Sequence, residues 1–198
     1  VMVDHLGRLV DGDRLLYVIA LDRQEQGELR GPVVGTVMSN LGLEHALRSE
    51  GIEFLRAAVG DRYVLEMLRR HGGVLGGETS GHLLCLDRTT TGDGLVSALQ
   101  VLAVMKRTGR SLAELASGMP QFPQVMINVR VRERIDPKAS PAIQDAVRRV
   151  EAALGTSGRV VLRASGTEPL IRVMVEGEEE SVVSRHANEL AEVVRKAV

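Results

Sequence analysis

Along residues 9–118, the chain alternates between short apolar runs and longer segments whose apolar residues recur at helical spacing. The short runs have the length and the bounding glycines and prolines of buried strands, and they cover 32–38, 52–59, 73–76 and 82–86. The helical segments lie between these runs. Strands that alternate with helices predict an α/β domain with a mainly parallel sheet.

Polar residues that can cap a helix mark where the helices of this segment begin. They precede four helical patterns and are Asp11 or Asp13, Ser39 or Asn40, Asp61, and Asp93. The last of these segments is predicted to be a long helix, because apolar residues recur along it at Leu95, Leu99, Leu102 and Met105. Turn signals at Gly118, Pro120 and Pro123 then predict a domain boundary.

Residues 121–198 show a different order of patterns. The first is a strand with one apolar and one polar face, in which Val125, Ile127, Val129 and Val131 alternate with more polar residues. A helix, two further strands and a final helix follow. This order predicts a small α+β domain.

The composition predicts a globular protein and excludes several functions. The chain has 198 residues, 44% of them apolar, and a formal net charge of −1. With two Tyr, two Phe and no Trp, it offers a nucleic acid few rings to stack on. Cys85 is the only cysteine, so no intrachain disulfide can form. No apolar stretch reaches the roughly 18 residues that a membrane-spanning helix needs. We expect a cytoplasmic protein.

Hydroxyl, glycine and arginine residues follow an apolar run in the sequence RASGTEPLIR. Ser165, Gly166 and Thr167 offer hydroxyls and unhindered backbone N–H groups. Arg163 and Arg172 flank them, and a guanidinium can meet two phosphate oxygens at once. The segment predicts a phosphate-binding loop, with a tight turn and incidental arginines as the alternative.

Glu78, Ser80 and His82 occupy alternate positions of the sequence GGETSGH, so in an extended loop their side chains would point the same way. A carboxylate beside a hydroxyl can hold adjacent sugar hydroxyls, and an imidazole can transfer a proton near neutral pH. The alternative is a glycine-rich turn with a solvated glutamate. Asp61 and Arg62 are weaker candidates for ligand binding. A helix cap explains Asp61, and a solvated arginine explains Arg62, almost as well.

Asp11 and Asp13, in the sequence DGDR, have the spacing of paired metal ligands. The pair runs directly into an apolar helical pattern, which favours a helix cap over a metal site. The remaining histidines are scattered and show no metal-ligand spacing. We therefore predict no metal site in this chain.

Three motifs in this order, GGETSGH, TTTGDG and RASGTEP followed by Arg172, resemble the α-D-phosphohexomutase family. The resemblance covers nearly the whole chain, including VDHLGRLVDGD, GTVMSN and GDRYV. It is strongest to the bacterial subgroup that acts on glucosamine phosphates. Mutases for glucose or mannose phosphates, and a non-catalytic phosphosugar-binding module, are the alternatives.

The resemblance implies the last two domains of a four-domain enzyme. Residues 9–118 would be the α/β third domain, and residues 121–198 a small α+β domain similar to the TATA-box-binding protein. Residues 1–8 would be the tail of the preceding domain. The serine that becomes phosphorylated, and the DGDGDR loop that binds Mg²⁺ in the full-length enzyme, would lie upstream of residue 1. We expect this chain alone to be inactive.

The resemblance also implies a reaction and roles for the candidate residues. Such an isomerase moves a phosphoryl group between O6 and O1 of the sugar through a bisphosphorylated intermediate. Glu78 and Ser80 would bind sugar hydroxyls, His82 would lie near the reacting oxygen, and the arginine loop would hold the phosphate that is not reacting. The expected partners are the phosphosugar, the upstream domains and a second copy of the parent protein, with no nucleic acid or membrane. The implied pathway is the synthesis of amino-sugar and cell-wall precursors.

Overall fold

The computed structural model describes residues 1–131, 136–165 and 168–197. The chain divides into two compact units, Val1–Gln121 and Phe122–Val198. Among the helices of these described residues, none has both the length and the apolar character that a bilayer-spanning helix requires.

The first unit continues from a small antiparallel strand pair into alternating helices and strands. Its elements are β1 (Met2–Val3), β2 (Leu9–Val10), α1 (Gly12–Glu25), β3 (Val33–Thr36), α2 (Leu41–Ser49), β4 (Phe54–Ala57), α3 (Asp61–His71), β5 (Leu75–Gly77), β6 (Leu83–Cys85), α4 (Gly94–Thr108) and α5 (Leu112–Ala116). The main sheet has the order β4-β3-β5-β6. β3 is parallel to both β4 and β5, whereas β6 is antiparallel to β5. The predicted α/β class with a mainly parallel sheet is confirmed.

Both faces of this sheet are covered, which explains why its strands are apolar at consecutive positions. Val33 belongs to an apolar cluster with residues of α1, α2, α4 and α5. Val34, the next residue, belongs to a second cluster with Val64 and Leu68 of α3. Successive side chains of a strand point to opposite faces, so α3 covers one face and the other helices cover the opposite face.

Local capping signals account for most helix starts in this unit. Asp11 accepts a hydrogen bond from Arg14 N–H at 3.0 Å, and Asn40 accepts one from Gly42 N–H at 2.9 Å. Asp93 accepts two, from the first N–H groups of α4. The prediction for Asp61 is wrong, because the N-cap of α3 is Gly60, with φ 125°, and among the described residues no side chain caps this helix. The Asp61 carboxylate is thus available for other contacts.

Helix α4 is present as predicted, but its leucines face away from the core. Leu95, Leu99 and Leu102 are 79%, 61% and 46% exposed. The buried positions lie on a neighbouring stripe, at Ser97, Val101 and Val104. Both stripes have helical spacing, so the apolar pattern alone did not show which one packs against the sheet.

In its described residues, the second unit has a three-stranded sheet and two main helices. Its elements are β7 (Gln124–Arg130), a 3₁₀-helix (Pro137–Ala139), α6 (Pro141–Leu154), β8 (Gly158–Ala164), β9 (Leu170–Gly177) and α7 (Glu180–Ala197). The strand order is β7-β9-β8, and both pairs are antiparallel. Ile143 of α6 and Leu190 of α7 pack with Ile171 and Val173 of β9 in the main apolar cluster. This confirms the predicted small α+β fold.

Candidate functional site

Three loops of the first unit meet at the carboxyl edge of its parallel strands. They follow β3, β4 and β5, and in sheets of this kind the carboxyl edge is where ligands bind. The loop after β5 carries Glu78, Ser80 and His82 and joins β5 to β6. We name residues 78–82 the ETSGH turn.

The ETSGH turn is a tight hairpin connection, so the extended geometry assumed for its alternate side chains is wrong. Glu78 N–H donates to the His82 carbonyl at 2.9 Å, and Gly81 N–H donates to the Glu78 carbonyl at 2.9 Å. Gly81 has φ 99°, a conformation that glycine adopts without strain. The Ser80 hydroxyl lies 3.3 Å from Nδ1 of His82. Ser80 and His82 are exposed, and Glu78 is half-buried.

The structure brings Asp61, at the start of α3, to the same place as Glu78 and His82. One ligand atom of each of the three side chains lies within 4.8 Å of the others. A proton on one of the two carboxyls would let Asp61 and Glu78 share a hydrogen bond, and this contact contributes to the raised pKa of Glu78. The sequence suggested Asp61 only as a weak candidate, and its contact with Glu78 requires the sheet to place β4 and β5 on either side of β3.

Burial and a neighbouring acid change the chemistry of Glu78. Burial is the largest cause that raises the pKa of the Glu78 carboxyl, followed by the hydrogen bond to Asp61 and the charge of Asp61. The charge of His82 and a hydrogen bond from Gly60 N–H act in the opposite direction. Glu78 therefore binds its proton more tightly than an isolated glutamate would.

Arg62 lies outside this cluster. Its side chain is 82% exposed, and its Nε donates to Glu66 at 2.9 Å along the same helix. An exposed pair of this kind contributes little to stability. In this structure Arg62 makes a surface ion pair and is not joined to the ETSGH turn.

Each of the two aspartates of DGDR accepts hydrogen bonds from protein donors through one of its carboxylate oxygens. Asp11 caps α1, whereas the fully buried Asp13 accepts hydrogen bonds from Asn40 N–H and the Thr79 hydroxyl, each at 2.8 Å. The sequence favoured a cap at Asp11 or Asp13 and did not predict these contacts of Asp13, because its actual partners are distant in the chain. These contacts argue against a metal site at DGDR.

Asp61, Glu78 and His82 are spaced closely enough to contact one cation. Two carboxylates and an imidazole do not fit Mg²⁺, which takes oxygen ligands in octahedral geometry. The absence of a metal site in this chain stays a prediction.

In the second unit, Arg163 of β8 lies directly opposite Arg172 of β9 in the antiparallel register. Residues opposite each other in such a pair are close neighbours, and like charges there repel. At the end of β8, Ser165 N–H donates to the Leu170 carbonyl at 2.8 Å, and the buried Ser165 hydroxyl accepts a hydrogen bond from Glu168 N–H at 3.3 Å. Gly166 and Thr167 lie outside the described residues.

Each of the two arginines has a buried nitrogen without a hydrogen-bond partner in the described part of the chain. Nε of Arg163 and Nε of Arg172 are both shielded from solvent and have no hydrogen-bond partner among the described residues. Burial, and then the charge of Arg172, lower the pKa of Arg163. An anion bound between the guanidinium groups would remove the repulsion and supply acceptors, so this pair can bind phosphate.

Family models match both units. The model for "Phosphoglucomutase/phosphomannomutase, alpha/beta/alpha domain III" matches residues 11–122, and the model for the C-terminal domain of the same proteins matches residues 126–193. The chain belongs to the phosphoglucomutase/phosphomannomutase family. The resemblance seen in the sequence motifs is confirmed.

Curated members of the phosphoglucomutase/phosphomannomutase family match the whole chain. This chain is 60% identical to the phosphoglucosamine mutase of Methylococcus capsulatus and 59% identical to that of Alkalilimnicola ehrlichii. Each match covers 100% of this chain and 44% of the relative. The chain thus spans less than half the length of these relatives.

Solved structures of family members have the same fold as this chain, although their sequence identity to it is low. The N-acetylphosphoglucosamine mutase of Aspergillus fumigatus, in complex with GlcNAc-6P and magnesium, superposes with a TM-score of 0.83 at 22% identity. The match covers 99% of this chain and 46% of that protein. A phosphoglucomutase/phosphomannomutase family protein from Burkholderia thailandensis has a TM-score of 0.74.

Proposed function

We propose that this chain is the substrate-binding half of a phosphoglucosamine mutase, which interconverts glucosamine 6-phosphate and glucosamine 1-phosphate. The phosphate-binding part of the proposal rests on the facing pair Arg163 and Arg172. Their Nε groups have no hydrogen-bond partner among the described residues. Ser165 and, outside the described residues, Gly166 and Thr167 would add donors. The names of the relatives support glucosamine as the sugar.

The ETSGH turn would bind the sugar. The Glu78 carboxyl and the Ser80 hydroxyl would contact adjacent sugar hydroxyls, and the exposed His82 imidazole would transfer a proton at the reacting oxygen. In this proposal residues 9–118 form the sugar-binding domain and residues 121–198 the domain that holds the non-reacting phosphate. Holding the far end of the substrate contributes to phosphoryl transfer through orientation.

The parts that react with the phosphoryl group would come from outside this chain. The relatives extend well beyond the matched region, which leaves room for the phosphorylated serine and the Mg²⁺ loop. Magnesium bound there would neutralise charge on the transferred group. A cytoplasmic location and a homodimer of the parent protein remain predictions.

Sugar preference in the intact parent protein tests the proposal. We expect a higher kcat/KM for glucosamine 6-phosphate than for glucose 6-phosphate or mannose 6-phosphate, measured in the same coupled assay. A higher value for glucose or mannose phosphate would favour the corresponding sibling mutase. Binding without turnover of any of the three would favour a non-catalytic phosphosugar-binding module.

A further inference from the structure

The carboxylate of Asp13 connects two of the loops at the carboxyl edge of the first unit. Its Oδ2 accepts hydrogen bonds from Asn40 N–H, in the loop after β3, and from the Thr79 hydroxyl, in the ETSGH turn, each at 2.8 Å. Asp13 is 0% exposed. Hydrogen bonds to a charged acceptor are stronger than those between neutral groups, so this carboxylate is a firm link between the loops.

Backbone contacts place the start of α1 directly against the ETSGH turn. Gly12 N–H donates to the Thr79 carbonyl at 2.9 Å. A Cβ added to Gly12 would lie 2.0 Å from the Glu78 carbonyl oxygen, so the approach leaves no room for a side chain. Thr79 is therefore held by α1 at both its carbonyl and its hydroxyl.

The helix does not need Asp13 in order to begin. Asp11 is already the N-cap of α1, through its hydrogen bond from Arg14 N–H. Burial raises the pKa of Asp13 even though Asn40 and Thr79 donate to it, because a buried carboxylate loses its hydration. A residue that only caps α1 could be exposed to solvent. A side chain of α1 that holds the ETSGH turn must lie where the helix contacts Thr79.

We infer that Asp13 is a positioning residue that holds the ETSGH turn through Thr79 and so fixes the places of Glu78 and Ser80 on either side. The inference rests on the proposed function only in taking this turn to be the sugar-binding segment. A preorganised turn binds the sugar without first losing conformational freedom. Loosening the turn should therefore weaken substrate binding more than it slows the chemical step.

The test replaces Thr79, since a substitution at the buried Asp13 could prevent folding. Thr79→Val keeps the shape of the side chain and removes the hydroxyl, while Asp13 keeps its hydrogen bond from Asn40. In the intact parent protein we expect Thr79→Val to raise KM for glucosamine 6-phosphate about tenfold and to change kcat less than about twofold. Thr79→Ser, which retains the hydroxyl, should restore the wild-type KM.

Amide hydrogen exchange gives a second result that does not depend on activity. Thr79→Val should speed exchange at Gly81, whose N–H closes the turn, and Thr79→Ser should not. Unchanged exchange together with an unchanged KM for Thr79→Val would overturn the inference. A wild-type parent without activity on glucosamine phosphates would overturn only the proposed function, because the exchange rates would still show whether Asp13 holds the turn.

Discussion

At the scale of single residues, Asp61 shows how one neighbour changes the chemistry of another. Two carboxyls that share a hydrogen bond cannot both ionise as easily as isolated ones. Asp61 therefore acts with burial to raise the pKa of Glu78, against the charge of His82. A protonated Glu78 can donate a hydrogen bond to a sugar oxygen, whereas an ionised one can only accept.

Asp61→Asn should lower the pKa of Glu78, because it removes the neighbouring negative charge. The folded wild type binds this proton more tightly than the unfolded chain does. Its stability therefore falls, relative to the variant, as the pH rises from the ordinary glutamate value through the raised one. Nuclear magnetic resonance titration of the Glu78 carboxyl measures the shift directly. Glu66→Gln, on the exposed surface of the same helix, is the control, and a Glu78 pKa that moves equally in both variants would refute the effect.

The residues also show which parts of the site the sequence could predict. Short-range signals such as the helix caps Asn40 and Asp93 were predicted and are present, because each cap and its N–H partner lie within one helical turn. The contact between Asp13 and Thr79 joins residues 66 positions apart, so no local pattern contains it. Asp61 was predicted as a cap because helix starts favour aspartate, but its partner Glu78 comes from another loop.

At the scale of secondary structure elements, α4 shows that periodicity predicts a helix, whereas packing decides which of its faces is buried. The helix carries two stripes at helical spacing, and the one with three leucines is exposed in the chain described here. Periodicity predicted the helix correctly, since either stripe produces the pattern. The choice of the buried stripe depends on the sheet, where Val101 packs in the main apolar cluster.

Substitutions on the two stripes of α4 should differ sharply in their effect on stability. Leu99→Ala should change the free energy of unfolding by less than about 0.5 kcal/mol, because the side chain is 61% exposed. Val101→Ala removes buried methyl groups and should cost about 2 kcal/mol. Both tyrosines, Tyr17 and Tyr63, lie in the first unit, so tyrosine fluorescence during urea unfolding reports on that unit. Equal losses in the two variants would mean that α4 is oriented differently.

At the scale of the whole molecule, the chemistry is divided between two compact units. The first carries the ETSGH turn with Glu78 and His82, and the second carries the facing arginines. In the proposed function the first group binds the sugar and the second binds the non-reacting phosphate, while the serine that becomes phosphorylated would come from outside this chain. This division agrees with a chain that matches 44% of its curated relatives.

Calorimetric titration of this chain with glucosamine 6-phosphate is the most direct test of the central claim, that Arg163 and Arg172 bind the phosphate. Arg172→Ala should weaken binding by about 1.5 to 3 kcal/mol, the scale of a hydrogen bond to a charged group. Arg148→Ala, which removes the same charge from the exposed surface of α6, should leave binding unchanged. If the dissociation constant of Arg172→Ala equals that of the wild type, the arginine pair does not bind the phosphate and the account is contradicted.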